Sequence, residues 1–500
     1  MNQKHILHII LAVLIFVPLQ GFSQDIPPHP DQLSFKPLKY DPPKAKDFRH
    51  TLKNGAVVYI AEDRELPLIN ITILVRTGSY LEPPEKAGLA AMVGALLRDG
   101  GTKTLPPDSL DERLDFLAAN IRTSIGQTQG RATLNVLSKD IDEALKLFVD
   151  ILRHPRFDEE RIKLYKDRVL QQMKRRNDRT SSIERREWNR LMYGDDFFIN
   201  RLPTKQTIES ITRQDLIEFH RKYFYPANFI FAVSGDFKKK EMLKKLEKAF
   251  AGWPNQKTEI PPVPKPSREP EPGIYMVHKD VNQGRISIGH WAVERGNPDE
   301  FALRVMNDIL GGGGFTSRIM SRVRSDEGLA YSAGSRFGIG TYYPGVFRAF
   351  FQSKTPTCAH ATKIVLDEIR RIRSEKVTEE ELKTSINSFI ETFPKNFATK
   401  ERTVMTFAQD EYTGRDPEYW ETYRDNIRKV TADDVLRVAK RYLHPEKLVI
   451  LGVGNVDEML KGYDKVPVKF TDFGLGEVKR LPLRDPLTLE PMEPVSGSEK

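Results

Sequence analysis

Cysteine is all but missing. One residue, Cys358, stands in 500, which excludes internal disulfides and any zinc cluster built from thiolates. Long apolar runs are missing as well. The best, Ile9–Val17, falls short of the roughly 20 residues needed to span a bilayer. Basic residues interleaved with aromatics are absent too. The net charge of +9, from 78 basic against 69 acidic residues, describes a mildly cationic surface and predicts no nucleic-acid partner. At 39% hydrophobic and 29% charged, the composition excludes collagen-like, coiled-coil and wholly disordered chains. The short apolar run does have a use. Lys4 and His5 precede it, and Pro18 and the small residues Gly21 and Ser23 follow. That order reads as a signal peptide over 1–23, cut near Ser23, which sends the mature chain to the periplasm. No cysteine follows the cut, so a bacterial lipid anchor is excluded, and no membrane span is expected in the mature chain.

Prolines divide what remains. They crowd 24–44, then 253–273, then the tail 463–500, and the middle cluster reads as a semi-rigid linker between halves at 45–252 and 274–462. The two halves repeat each other. Thr212 and Thr431, Asp215 and Asp434, Tyr223 and Tyr442, Pro226 and Pro445, and Gly235 and Gly454 each stand 219 positions apart. Phe157–Arg161 parallels Thr378–Leu382 at an offset of 221, and the alternating Ile69 and Ile71 match Ile286 and Ile288 at 217. A near-constant offset across separate segments marks an internal duplication.

Within each half, alternation predicts strands at Ala56–Ile60, Ile69–Val75 and Arg131–Leu137. Apolar periodicity predicts helices at Lys86–Leu97, Ser138–Leu152, Glu159–Arg176 and Arg213–Tyr223, with Thr212 and Thr431 as N-caps and Asp215 and Asp434 closing capping boxes. The fold class is α+β: two homologous halves, each of helices packed on mainly antiparallel sheets.

The run Lys86–Leu96, continuing into Gly100-Gly101-Thr102, resembles the zinc-motif helix of the pitrilysin/insulinase metallopeptidases. So do the duplicated halves, the proline linker, the long helix from Glu159, and Tyr223-Phe224-Tyr225-Pro226-Ala227-Asn228 leading to Val233-Ser234-Gly235-Asp236. The likeness covers about 45–460 and implies a clam-like arrangement. The family's motif is H-x-x-E-H, in which histidines one helical turn apart grip zinc and the Glu deprotonates its water. Matched on Gly88-Leu89-Ala90, the histidine positions hold Ala91 and Ala95, the base position holds Gly94, and the third-ligand position on the later helix holds Gln172. The resemblance therefore implies no metal and no cofactor in this chain. The remaining histidines, 29, 50, 154, 220, 278, 290, 360 and 444, offer no local substitute for the motif.

The second half keeps the other part of the family's site. Gly311-Gly312-Gly313-Gly314-Phe315-Thr316-Ser317-Arg318, followed by Arg322–Tyr331, resembles the pattern that ends in Arg-x6-Tyr. Ser317–Asp326 reads as a helix stopped by Gly328, with Arg324 and Tyr331 on either side of the turn. Taken alone, such an Arg and Tyr read as a solvated charge and a core ring. The whole string implies instead that Arg324 and Tyr331 hold the substrate and polarise its scissile carbonyl, with Gly312, Gly313 and Gly314 beside it. Bacterial relatives include two-chain enzymes, which implies a zinc-bearing homologous subunit as partner, zinc in that partner, and peptide substrates. This chain is expected to be inactive alone. An exposed strand edge near Ala119–Gly126 could take an extended peptide, with Ile121-Arg122-Thr123 in place of the family's Leu-Asn-Ala. The other reading is a non-catalytic scaffold or peptide-binding homologue.

Overall fold

Ile69, Ile71 and Ile73 alternate with polar neighbours, and all three are buried in one strand of the computed structural model, Leu68–Val75. The structure describes residues 29, 32–33, 39–255 and 259–493; the signal-peptide reading at 1–23 lies outside them. Met1–Asp41 is a separate unit, and Pro42–Lys500 forms one compact body.

Strands are numbered in chain order, and helices likewise where they have eight residues or more. The first half contains β1 Arg49–Thr51, β2 Val57–Glu62, β3 Leu68–Val75, α1 Leu89–Asp99, α2 Pro107–Phe116, β4 Asn120–Ile125 and β5 Gly130–Leu137. It continues with α3 Ile141–Arg153, α4 Glu159–Lys174, α5 Thr180–Tyr193, α6 Arg213–Tyr223, β6 Phe229–Gly235 and α7 Lys239–Ala249. The second half contains β7 Gly273–His278, β8 Gln283–Trp291, β9 Val293–Glu294, α8 Glu300–Asn307, β10 Ala330–Phe337, β11 Ile339–Gly340 and β12 Val346–Lys354. Then come α9 Cys358–Ser374, α10 Glu379–Thr392, α11 Lys400–Thr413, α12 Tyr419–Arg428, α13 Ala432–Tyr442, β13 Val449–Gly454 and β14 Val478–Leu481.

Two six-stranded sheets result, ordered β1-β2-β6-β3-β5-β4 and β10-β12-β8-β13-β7-β14. Read from opposite ends, five strands of each correspond, β2-β6-β3-β5-β4 with β7-β13-β8-β12-β10, and both sheets are mainly antiparallel, so the two homologous halves stand as expected. The sixth strands, β1 and β14, differ in origin and direction. The predicted capping boxes are present at Thr212–Asp215 and Thr431–Asp434. The register refines two offsets. Ile71 pairs with Val233 and Ile286 with Gly452, so the true match for Ile71 is Ile286, an offset of 286 − 71 = 215 and not 217. A slip of two residues keeps every side chain on its face, so alternation alone cannot detect it. Likewise Asp158 and Thr378 are the caps of α4 and α10, which corrects 221 to 378 − 158 = 220.

Each half covers the other's sheet. Helix α5 packs across β8 and β13 of the second sheet, while α11 packs across β2, β3 and β6 of the first. Ile183, Trp188 and Met192 of α5 are buried against Val277, Val449 and Leu451, each side chain worth about 1.5–3 kcal/mol. A buried carboxylate pins this contact. Glu184 accepts from Arg285 Nε at 2.7 Å, Ser287 Oγ at 2.6 Å and Arg348 Nη2 at 2.7 Å. Burial pushes its carboxyl up, but the Arg348 and Arg285 charges and these hydrogen bonds hold it below the ordinary range. On the other side Glu411 of α11 accepts from Tyr59 Oη at 2.8 Å and from Arg49.

The proline-rich tail takes part in the fold. β14 extends the second sheet in parallel with β7, and the chain then returns to the first half, where Asn177 Nδ2 donates to Arg484 O at 2.7 Å and Lys205 N to Leu487 O at 2.9 Å. An open β7 edge would otherwise expose its backbone polar groups.

Candidate functional site

Helix α1 forms because Leu89, Ala90, Met92, Val93, Leu96 and Leu97 recur at helical spacing, and all six are buried. Its start is held by a residue that no local pattern marks. Glu82, buried, accepts from Gly88 N at 3.0 Å and Ala90 N at 2.8 Å, although burial pushes its carboxyl above the ordinary range. On α1 the positions matched to the two histidines carry methyl groups: Ala91 is exposed and Ala95 half-buried, one turn apart. Gln172, on α4, is exposed.

The base position is closed sterically as well as chemically. Gly94 lies against edge strand β4, and a Cβ there would come within 2.3 Å of Ile125 N and 2.7 Å of Ser124 C. No carboxylate side chain fits at that point. Methyl groups, a neutral amide and a glycine without room make a set that does not fit a zinc ion. Among the described residues, no group of three His, Cys, Asp or Glu side chains is placed to hold a metal.

The corresponding place in the second half is built differently. Helix α8 runs into a π-helical turn, Asp308–Gly312, then a 3-10 turn, Gly314–Thr316, and a short α-turn, Arg318–Met320, that passes into a second π turn, Ser321–Asp326. The predicted helix over Ser317–Asp326 is thus helical but mostly of the wider π form, a form concentrated at functional sites. Gly328, at φ +63°, ends it. Gly311 packs on β10, where a Cβ would come within 2.5 Å of Ser335 N, so close approach is one thing the glycine run provides.

Arg324 and Tyr331 are brought together. The Arg324 Cζ lies 4.6 Å from the centre of the Tyr331 ring. On strand β10, three steps from Ala330 to Ala333 oppose two on β12, from Ser353 to Phe351. The resulting bulge holds Tyr331 and Ser332, both turned out to solvent. Tyr331 is 84% exposed, so it is no core ring. Arg324 makes no ion pair with a carboxylate among the described residues. Phe315, which directly follows the glycines, also lies against Arg324, with its ring centre 4.7 Å from Cζ. The sequence reading missed it, though an apolar residue closing a glycine run was a usable signal.

A bidentate ion pair anchors this arm to α10. Arg318 Nε donates to Glu381 Oε1 at 2.6 Å and Nη2 to Oε2 at 2.9 Å. Burial pushes the Glu381 carboxyl up, yet the Arg318 and Thr378 hydrogen bonds outweigh it and lower the group from 4.5 to about 2. A lowered folded value contributes stability that is present above about pH 4.5 and lost as pH falls towards 2. Glu381→Gln should therefore cost about 2 kcal/mol near neutral pH, because it leaves Arg318 buried without its charge partner. The gap from the parent chain should narrow between pH 4.5 and 2 in urea titrations. A gap that stays constant down to the lower pH would show that the pair adds nothing.

Strand β4, within the Ala119–Gly126 stretch, ends the first sheet with β5 as its strand partner, and α1 packs against it at Ser124 and Ile125. No helix of the described residues is long and apolar enough to cross a membrane.

Comparison with known proteins agrees with this architecture. The insulinase family, peptidase family M16, matches residues 57–195, and the peptidase M16 inactive domain matches 210–389. The chain is 24% identical over 405 residues to the non-peptidase homolog YmxG of Helicobacter pylori, covering 80% of this chain and 91% of that one. Among solved structures it resembles the peptidase M16 inactive domain from Pseudomonas fluorescens, with TM-score 0.72, 23% identity, and 81% and 97% of the two chains covered. It also resembles the periplasmic protease PqqL from Escherichia coli, with TM-score 0.69 and 15% identity, spanning 91% of this chain but 50% of that one. The duplicated sheets, the vacated metal positions and these matches agree: the chain belongs to the insulinase family, peptidase family M16, as a member of the inactive type.

Proposed function

We propose that the chain is the zinc-less subunit of an exported insulinase-family peptidase, in which Arg324 and Tyr331 complete the site of a zinc-bearing homologous chain. One observation carries this reading. The positions matched to the metal site have lost their chemistry, yet a guanidinium without a carboxylate and a phenol that is 84% exposed stand side by side at a bulged strand edge. Arg324 would donate to backbone carbonyls of an extended peptide, and the Tyr331 hydroxyl to the oxyanion that forms at the scissile carbon. The partner's zinc would supply the activated water. Gly312, Gly313 and Gly314 leave the backbone beside the peptide uncovered.

The exchange of α5 and α11 supports a two-chain chamber. It locks the two halves of this chain into one body, which is consistent with an opposing wall supplied by another molecule. The match to half of the periplasmic protease's length supports the same division. Export follows from the leader reading at 1–23.

The second reading, a non-catalytic scaffold, draws support from the Helicobacter pylori relative, which is named a non-peptidase homolog. Co-expression with a zinc-bearing homologue decides between them. We expect a stable complex that hydrolyses unstructured peptides, whereas this chain alone retains no zinc after dialysis and cleaves nothing. A complex without hydrolysis favours the scaffold, and no complex at all refutes the subunit reading.

A further inference from the structure

The Phe315 side chain is 70% exposed at the tip of a glycine-rich turn, yet its position is defined. Ser317 Oγ donates to Gly314 O at 2.7 Å and Thr316 Oγ1 to Gly313 O at 3.0 Å. Ser317 itself is fully buried, and the next residue, Arg318, is tied to Glu381. The turn is therefore fastened at its base, and its ring projects towards Arg324.

Arg324 has two rings against it, Phe315 at 4.7 Å and Tyr331 at 4.6 Å from Cζ. A guanidinium is planar and weakly hydrated on its faces, and it donates hydrogen bonds only in its own plane. A ring contact engages a face and does not compete with the N–H edge for hydrogen bonds. A lone Arg on a solvated turn would instead spread over many rotamers and would lose that freedom only on meeting substrate. Two rings remove much of that cost beforehand. Tyr331 alone would leave the guanidinium with one ring contact instead of two.

We infer that Phe315 is a positioning residue: with Tyr331 it clamps the Arg324 guanidinium so that its N–H fork stays turned outward to receive peptide carbonyls. The clamp as a part of catalysis rests on the function proposed above; as a feature of the chain it does not. Phe315 touches no reacting atom and acts through Arg324 alone.

Two measurements keep those levels apart. In the isolated mature chain labelled at arginine, the Arg324 δ-protons should resonate upfield through the two ring currents, the signal being assigned with Arg324→Lys. Phe315→Leu keeps the bulk and removes the π face, and should move that resonance about halfway back to the free position; Phe315→Tyr should leave it in place. An Arg324 resonance that does not respond to Phe315→Leu overturns the clamp. In the complex with the zinc-bearing homologue, Phe315→Leu should lower kcat/KM roughly 5- to 10-fold, and Phe315→Tyr should stay within about 2-fold of the parent. Added to Arg324→Ala, Phe315→Leu should cost nothing more. A full additional loss there means that Phe315 acts on substrate directly and is not a positioning residue. A responsive resonance in a complex that never turns over leaves the clamp standing and removes the peptidase reading instead.

Discussion

Tyr331→Phe in the assembled pair should lower peptide turnover by on the order of 10²-fold, about 2.7 kcal/mol, with no change in association. The substitution removes one hydroxyl and keeps the ring, so the stack on Arg324 survives while a donor to the developing oxyanion is lost. Such donors act where water is excluded and need no reorganisation as charge forms, which is why a single hydrogen bond counts for so much. Arg324→Ala should cost a similar factor, because it removes the charge that holds the carbonyls, together with some packing of its stem. Both residues would act on one transition state, so the double variant should lose less than the product of the two losses. Steady-state kinetics on complexes matched for subunit ratio would measure this. If both single variants turn over like the parent, the residues are not catalytic and the scaffold reading takes their place.

Rebuilding the metal motif should fail, and Gly94 should be the reason. Ala91→His and Ala95→His place side chains at exposed and half-buried positions of α1, where the fold tolerates them. Gly94→Glu should destabilise the chain by at least about 4 kcal/mol, because it overlaps the β4 backbone and forces a charge into a buried place without a partner. Gly94→Ala isolates the steric part. In an ordinary helix that change stabilises by about 0.5–1 kcal/mol. Here the new Cβ would lie 2.3 Å from Ile125 N, and we expect a loss of about 1–3 kcal/mol in its place. Urea midpoints give the sign directly. A more stable Gly94→Ala chain would mean that α1 and β4 stand farther apart than 2.3 Å implies. The consequence for evolution of the site is that restoring the ligands is not enough, since the edge strand occupies the space of the base.

Much of the fold was legible because its signals are local. A threonine three residues before an aspartate caps a helix through its own hydroxyl, so Thr212 and Thr431 marked the repeat without knowledge of anything distant. Isoleucines at every second position place a strand with one face inward, and that was enough to find β3 and β8. The string from Gly311 to Tyr331 marked the second-half site for the same reason, being one continuous stretch of chain. What the sequence left undecided depends on which surfaces meet. The pleat repeats every two residues, so the offset between β3 and β8 came out two too long until their partners β6 and β13 set the register. That α5 and α11 cover each other's sheets, and that the tail supplies β14, follow from long-range burial, to which residues far apart in sequence contribute without a shared local pattern. Gly94 read simply as a lost base; only the nearness of Ile125 N makes it a position that no side chain can enter. Phe315 and Arg324 lie nine positions apart, and no period of helix or strand pairs them. The turn between them, fastened by Ser317 and by the Arg318–Glu381 ion pair, brings the ring over the guanidinium, and that is a decision of tertiary structure alone.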